Sequence, residues 1–328
     1  MKICVSAEKE ANLSKWRGMQ NSRSLIFSSR LMAAGVGLAG AALCFALVGT
    51  FVFDQDTDTV TLPVPVEYVI AKQVQYSFAL QNKTNRVIPK AEFWAYAPVK
   101  QTATQLHARL DCNHPYQLIG DNSGNQVLHL TFDNLTPYAT RLITVRADLG
   151  LSQKSNPLPQ APLPWDLKAE KHIESDHPAI RRLAAQLKSP DRFETVERIF
   201  SWVVQHIAYS GYARDNRGAL YALEYKKGDC TEYMSLFVAL CRASGISARG
   251  IGGYICPEST QLKPGAYHNW AEFYHNGAWQ IADPQNNVLM QNQADYIAMR
   301  IIRAHEDNPM GSFNRFRVKG EGLKVKMN

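Results

Sequence analysis

Two metal-enzyme signatures are missing from this 328-residue chain. It has no H-E-x-x-H run and no C-x-x-C pair, so neither a zinc-protease helix nor a thiolate zinc site is encoded. No metal and no other cofactor is expected. Support for nucleic-acid binding is also absent. The formal charge is +7, but Lys2, Lys9, Lys15, Arg17, Arg23 and Arg30 against Glu8 and Glu10 put +4 of it into residues 1–30. The surplus of +3 on everything that follows is too thin for a phosphate-binding surface. Aromatic and basic residues do not interleave, and no RNA-binding signature occurs. There is no internal repeat. A hydrophobic content of 45% with 20% charged residues is that of a globular chain, which excludes disorder over most of its length.

Charge is wholly absent from "LMAAGVGLAGAALCFALVGTFVF", residues 31–53. As a helix this run would measure about 34 Å, enough to cross a hydrocarbon core of roughly 30 Å. The basic flank precedes it, and Asp54, Asp56 and Asp58 follow it. Positive residues stay inside, so a single-pass inner-membrane protein is expected, with a cytoplasmic N-terminus and all that follows residue 53 outside, in the periplasm. The exit "GTFVFDQD" lacks an A-x-A-like cleavage site, and Ala-Ala-Leu before Cys44 is a poor lipoprotein site. The run therefore reads as an uncleaved signal anchor.

Of six cysteines, Cys4 precedes the anchor and Cys44 lies within it. Cys112, Cys230, Cys241 and Cys256 fall in a compartment that permits disulfides. The sequence does not decide whether Cys241 and Cys256 pair; Cys230 stays free in that case.

Residues 60–150 alternate apolar and polar in "VQYSFALQ", "QVLHLTF" and "TRLITVRADL", with "NKTN", "DNSGN" and "DNLTP" as punctuation. This pattern predicts an all-β, immunoglobulin-like sandwich. His107, His114 and His129 within it have no metal-ligand spacing and read as ordinary strand or loop positions. Pro157, Pro159, Pro162 and Pro164 make residues 151–165 a stiff, extended linker. Residues 166–328 open with helices. One shorter helix is expected over 176–188. A longer one has Ser189 as N-cap, Pro190 as first residue, and an apolar face at Phe193, Val196, Ile199, Phe200, Val203, Val204 and Ile207. After residue 245 the pattern turns to strands, which makes this domain α+β.

The chemistry concentrates at "KKGDCTEYMSLF", residues 226–237. Asp229 is a good N-cap and Glu232 stands three residues on, a capping-box pair that makes Cys230 the first helical residue. Gly245 ends the helix. Unpaired N–H groups and the positive end of the dipole favour a thiolate there, the form that attacks. Cysteine is also a common inert core residue, so position alone does not make a nucleophile. Further on, "YHNWAEFYHNGAWQIADP" (267–284) reads as a hairpin about Asn276-Gly277. A two-residue loop sets His275 opposite Ala278 and Trp270 opposite Asp283, so His268 is the diagonal neighbour of Asp283. Diagonal Cα atoms lie about 7–8 Å apart, within reach of an imidazole and a carboxylate. A three-residue loop would turn Asp283 to the other face. Cys230, His268 and Asp283 together supply the nucleophile, base and orienting carboxylate of a thiol triad.

The stretches "GDCTEYMSLFVALCRASGISARGIGGY" (228–254), "HNWAEFY" (268–274) and "WQIADP" (279–284) resemble the bacterial transglutaminase-like proteins, whose core fold is related to papain. The resemblance covers about residues 165–305 and implies Cys230 as nucleophile, His268 as base and Asp283 as third member. A β-rich segment before such a domain is similar to the two-part arrangement of some family members. The Cys230 N–H is a natural oxyanion donor, with Tyr209 or Tyr212 as candidates for a second. Trp270 and Glu272 match the family motif and are expected to brace the histidine strand; Arg249 reads as a structural ion-pair residue.

The expected function is an extracytoplasmic thiol enzyme that acts on amide bonds of cell-envelope proteins or peptides through a thioester. A cysteine protease or amidase is the leading form. Transfer of the acyl group to an amine, or a non-catalytic binding module with the same fold, are the alternatives.

Overall fold

The computed structural model describes residues 67–158, 161–303 and 307–328. The expected basic segment and membrane anchor at 1–53 lie outside these residues. Among the described residues no helix is long and apolar enough to cross a membrane.

Alternation governs the first part of the described chain. Strands β1 (Ile70–Asn82), β2 (Ile88–Ala97), β3 (Gln105–Cys112), β4 (Gln117–Gly120), β5 (Gln126–Leu135) and β6 (Thr140–Leu151) follow in order. Every second residue of β1 (Val74, Tyr76, Phe78, Leu80) and of β6 (Ile143, Val145, Ala147, Leu149, Leu151) is buried. Ala91, Phe93, Ala95 and Ala97 of β2 complete the same core. β1 pairs antiparallel with β6 from Ile70↔Leu151 to Gln81↔Thr140, and β3 lies on the far side of β6. β2 pairs with β5, and β5 with β4. Two sheets thus face each other across one core, where each fully buried Val, Leu, Ile or Phe contributes roughly 1.5–3 kcal/mol.

Residues 152–158 are held rather than spanning free space. The Ser152 N–H donates to Thr104 O at 2.9 Å, the Asn156 N–H to Ala103 O at 2.8 Å, and Ser155 Oγ to Gln293 at 2.7 Å. A short 3-10 turn at Pro164–Leu167 then buries Asp166 against Arg303.

Beyond it come α1 (Pro178–Leu187), α2 (Arg192–His206), β7 (Ala208–Tyr209), α3 (Gly218–Tyr225), β8 (Lys227–Gly228) and α4 (Cys230–Ala243). The apolar face expected of α2 is present: Val196, Ile199, Phe200, Val203 and Ile207 are buried, with Phe193 and Val204 packed at its margin. Its start differs from expectation. Asp191, not Ser189, is the N-cap and accepts from the Glu194 N–H at 2.8 Å. Ser189 is instead bonded to the Glu194 carboxylate and, through its N–H, to Thr195 Oγ1. A charged acceptor at Asp191 supplies the stronger cap. α4 is apolar on nearly all sides, with every residue from Tyr233 to Cys241 buried, because helices cover one side and a sheet the other.

That sheet is built from β9 (Ala248–Ile255), β11 (Tyr267–His275), β12 (Ala278–Asp283), β13 (Val288–Leu289) and β14 (Tyr296–Ile302), in the order β13-β12-β11-β9-β14; β10 (Thr260–Gln261) leaves it to pair with β1. Glycines in β9 allow three close approaches. A Cβ at Gly250 would lie 2.7 Å from Met234 Sδ of α4, one at Gly252 2.1 Å from the Tyr267 hydroxyl, and one at Gly253 2.0 Å from Ile297 O.

The last strands, β15 (Phe316–Lys319) and β16 (Leu323–Met327), return to the sandwich, where β15 pairs with β2 and β16 with β1. Residues 316–327 therefore complete the first layer pair although they follow the β9–β14 sheet in sequence. The junction is apolar, with Tyr254, Ile297 and Met299 joining the sandwich core, and it also carries buried polar contacts. β14 is an edge strand, and buried side-chain amides cover its outer side. Gln105 bonds Ala298 N at 2.9 Å and O at 3.0 Å, and Asn125 Nδ2 donates to Ile301 O at 3.0 Å. The buried Lys72 ammonium of β1 donates to Ala294 O at 2.9 Å and pairs with Asp295 at 3.1 Å. All described residues belong to one compact unit, 61–328.

The glycine strand yields a stability test. Gly253→Ala drives a Cβ into the Ile297 carbonyl, and the expected loss is about 1–3 kcal/mol or more, the usual cost of overpacking. Gly265→Ala, with no atom within 4 Å of its new Cβ, is expected to change stability by less than about 0.5 kcal/mol. Urea unfolding of both variants reads the difference.

Candidate active site

Three local structures deliver the site. The first is the start of α4. The Asp229 carboxylate accepts the Thr231 N–H at 2.8 Å, and Glu232 reaches back to the Asp229 N–H at 2.9 Å. The capping box is formed and Cys230 is the first helical residue. Glu232 is fully buried, and its charge is met by Arg217: the guanidinium lies at 2.7 Å and the Arg217 N–H at 3.0 Å. Asp229 also accepts the Ala213 N–H at 2.9 Å. Residues 208–217 are thereby wrapped about the helix start. β7 pairs parallel with β8 and the Ser210 N–H donates to Gly228 O at 2.9 Å. Tyr209 and Tyr212 stand on this segment with exposed rings.

The second is the hairpin. Asn276 and Gly277 both have positive φ, +49° and +79°, and close a two-residue turn. The register runs His275↔Ala278, Tyr274↔Trp279, Phe273↔Gln280, Glu272↔Ile281 and Ala271↔Ala282, as the turn requires. His268 Nε2 then donates to Asp283 Oδ2 at 2.7 Å. Cys230 lies close enough to His268 for its charge to act on the imidazole. The structure thus brings Cys230, His268 and Asp283 together. Next to His268, Asn269 Nδ2 donates to Thr231 Oγ1 at 3.0 Å, which ties the histidine strand to the cysteine turn.

The third is the shell around Asp283, whose side chain is 1% exposed. Tyr296 donates its hydroxyl to Asp283 Oδ2 at 3.0 Å from the interior, and Asn286 Nδ2 donates to the same oxygen at 2.7 Å from the solvent side. Trp270 lies between the rings of His268 (centroids 6.4 Å, 19° between planes) and Tyr296 (5.1 Å, edge-on). Glu272 and Arg249 form a buried pair at 2.7 Å, with the guanidinium 4.1 Å over the Trp279 ring. These contacts brace the histidine strand from behind.

Electrostatics follow from this packing. Burial alone would push the His268 imidazole down. The hydrogen bonds to Asp283 and Cys230, with the charges of both, outweigh burial and raise it from 6.5 to about 9. Burial and the Asp283 charge push the Tyr296 phenol well up, so it acts only as a neutral donor. Burial likewise raises the thiol of Cys241 far above its ordinary value and that of Cys256 to about 11. Neither is suited to react near neutral pH. Cys112, Cys230, Cys241 and Cys256 are all free; Cys241 and Cys256 sit in separate cores.

The remaining histidines of the sandwich hold structural contacts. His107 lies 2.7 Å from the Gln126 amide, His114 lies 3.0 Å from Leu142 O, and His129 stacks on Trp94 at 4.8 Å. Among the described residues no group of three His, Cys, Asp or Glu side chains could hold a metal ion. Sequence reasoning missed Asn286, Tyr296, Arg217 and Asn269. Only the "DPQN" turn directly after Asp283 carried a local signal, for Asn286.

The raised imidazole sets a pH expectation. Its stabilising contribution is complete below the unfolded value near 6.5, declines above it, and is gone once the pH passes about 9. An NMR titration of His268 should show a midpoint near 9. Asp283→Asn, which removes the largest favourable partner, should bring the midpoint down by at least about one unit. A wild-type midpoint at 6.5 or below would contradict the assembled pair.

Comparison with known proteins agrees with this geometry. Residues 181–284, which contain all three site residues, match the family model of the transglutaminase-like superfamily. A candidate cysteine protease from Cytophaga hutchinsonii superposes with a TM-score of 0.51 at 19% identity, over 79% of this chain and 92% of that one. The periplasmic domain of TgpA from Pseudomonas aeruginosa aligns at 16% identity over 67% of this chain and 92% of its own, with a TM-score of 0.34. No curated protein matches the sequence. Residues 181–284 are thus the part of the chain that is similar to the transglutaminase-like superfamily.

Proposed function

We propose that this protein is a thiol hydrolase that cleaves amide bonds of proteins or peptides in the cell envelope, held at the inner membrane by residues 31–53 with its catalytic domain outside the cytoplasm. One observation carries the chemistry: His268 donates to the buried Asp283 carboxylate at 2.7 Å on the strand that Asn269 ties, at 3.0 Å, to Thr231 beside Cys230.

The step sequence follows from the atoms present. Cys230 Sγ attacks the amide carbonyl carbon while its proton rests on His268 Nδ1. The oxygen of the tetrahedral intermediate gains negative charge beside the first turn of α4, where the Cys230 N–H has no intrahelical partner. His268 then gives its proton to the departing amine, the C–N bond breaks, and a thioester remains. Water attacks the thioester, His268 takes its proton, and the thiolate leaves as the acid forms. Asp283 keeps the Nε2–H tautomer throughout and stabilises the imidazolium.

Hydrolysis is preferred to amine transfer because Cys230 is partly accessible to solvent. The description of the Cytophaga hutchinsonii neighbour as a candidate protease agrees with this choice.

Alkylation of Cys230 by iodoacetamide, followed by mass spectrometry from pH 4 to 9, tests the site without a substrate. Cys230 should react rapidly at pH 6 while Cys241 and Cys256 stay inert. His268→Ala should slow that reaction at least about tenfold. Equal rates in the two proteins would overturn the reading. Envelope peptides supplied together with a labelled primary amine then decide the acceptor: free acid as product supports hydrolysis, and amine incorporation overturns it.

A further inference from the structure

Asp283 Oδ2 is a crowded acceptor. His268 Nε2 at 2.7 Å, Asn286 Nδ2 at 2.7 Å and the Tyr296 hydroxyl at 3.0 Å all converge on it. Tyr296 and Trp270 enclose the interior side of the pair. Asn286 alone among these partners comes from the solvent side. Its position is built into the turn that follows β12. Asp283 Oδ1 accepts the Asn286 N–H at 3.4 Å, the Asn287 N–H donates to Pro284 O at 3.3 Å, and Asn287 adopts φ +55°. The carboxylate that orients His268 therefore also folds the turn that returns Asn286 to the same place.

Asn286 Nδ2 stands 3.2 Å from His268 Nε2. Both nitrogens donate to one oxygen, so the separation is not itself a hydrogen bond between them. It is, however, the distance at which an acceptor would bond Nε2–H. Turning the amide over exchanges Nδ2 for Oδ1 and needs no backbone movement. An amide oxygen would then face the imidazole from the place the amide nitrogen occupies.

We propose that Asn286 is a positioning residue of this site: it covers the His268–Asp283 bond from solvent and, with its amide turned over, acts as a second orienting acceptor for His268 Nε2. The inference rests on the reading of Cys230 and His268 as nucleophile and base. An amide is uncharged, so it fixes the ring and its tautomer without the attraction that Asp283 exerts on the imidazolium. Loss of Asp283 then leaves a Cys-His-Asn arrangement, weaker but ordered. The effect of Asn286 should be small while Asp283 is present and large once it is gone.

Rates of Cys230 alkylation as a function of pH, in the full-length wild type, Asn286→Ala, Asp283→Ala and the double variant, measure this directly. Asn286→Ala is expected to slow the reaction at pH 6.5 by less than about threefold in the wild-type background and by about tenfold or more in the Asp283→Ala background. The midpoint of the pH profile should move with Asp283→Ala and move again in the double variant, with both profiles distinct from that of the urea-unfolded chain. Should Asp283→Ala unfold, Asp283→Leu supplies the second background, since it keeps most of the volume and offers Nε2 no acceptor. The same factor in both backgrounds would overturn the proposal. Including His268→Ala separates the two readings. If His268 does not affect the wild-type rate, the thiol-enzyme reading falls and this one with it; if it does, and the Asn286 factors are equal, this inference alone falls.

Discussion

The turn at Asn276-Gly277 fixes where everything else in the site stands. Its two positive-φ residues close β11 onto β12 with no spare residue, and the side-chain period of two then carries that register down the hairpin to His268 and Asp283. One added residue would turn Asp283 away from His268, and no local adjustment would restore the pair. The strand is pinned from both sides. β9 pairs with it from Tyr267↔Tyr254 to Phe273↔Ala248, and Asn269 bonds Thr231 next to the nucleophile.

The helix start at Cys230 depends on a second constraint, a buried charge at Glu232. Glu232 caps the helix that begins at Cys230, and a buried carboxylate is costly unless it is paired and hydrogen-bonded. Arg217 supplies the pairing with both its guanidinium and its backbone N–H. This need gathers residues 213–217 around the helix start, following the exposed Tyr209 and Tyr212. Gly228 belongs to the same arrangement: a Cβ there would lie 2.3 Å from Glu232 Cβ. The cap, the wrapped segment and the thiol are one packing problem.

The sandwich is joined to this domain by more than chain connectivity. Amides from Gln105 and Asn125 satisfy the edge of β14, the strand that carries Tyr296, and Lys72 ties β1 to the turn before it. Tyr296 in turn donates to Asp283. The β-layer therefore bears on the orienting carboxylate through a short series of bonded groups. Both layers have satisfied polar contacts at their junction, so it is specific in register as well as apolar.

The sequence by itself determined whatever depends on neighbours along the chain. The capping box at Asp229 and Glu232, the apolar face of α2, the strands of alternating residues, and the diagonal placement of His268 and Asp283 all follow from spacing and turn chemistry. It placed the N-cap of α2 two residues early, because Ser189 and Asp191 are both competent caps and only the bonds of Ser189 to Glu194 and Thr195 decide between them. Contacts between distant segments were decided by tertiary structure alone. Tyr296 meets Asp283 because β14 lies beside β9, Arg217 meets Glu232 because a loop wraps a helix start, and β15 and β16 return across the chain to β2 and β1. None of these has a period or a local signature. Each is selected by burial, which demands a partner for every enclosed polar group and leaves the choice of partner to the folded chain.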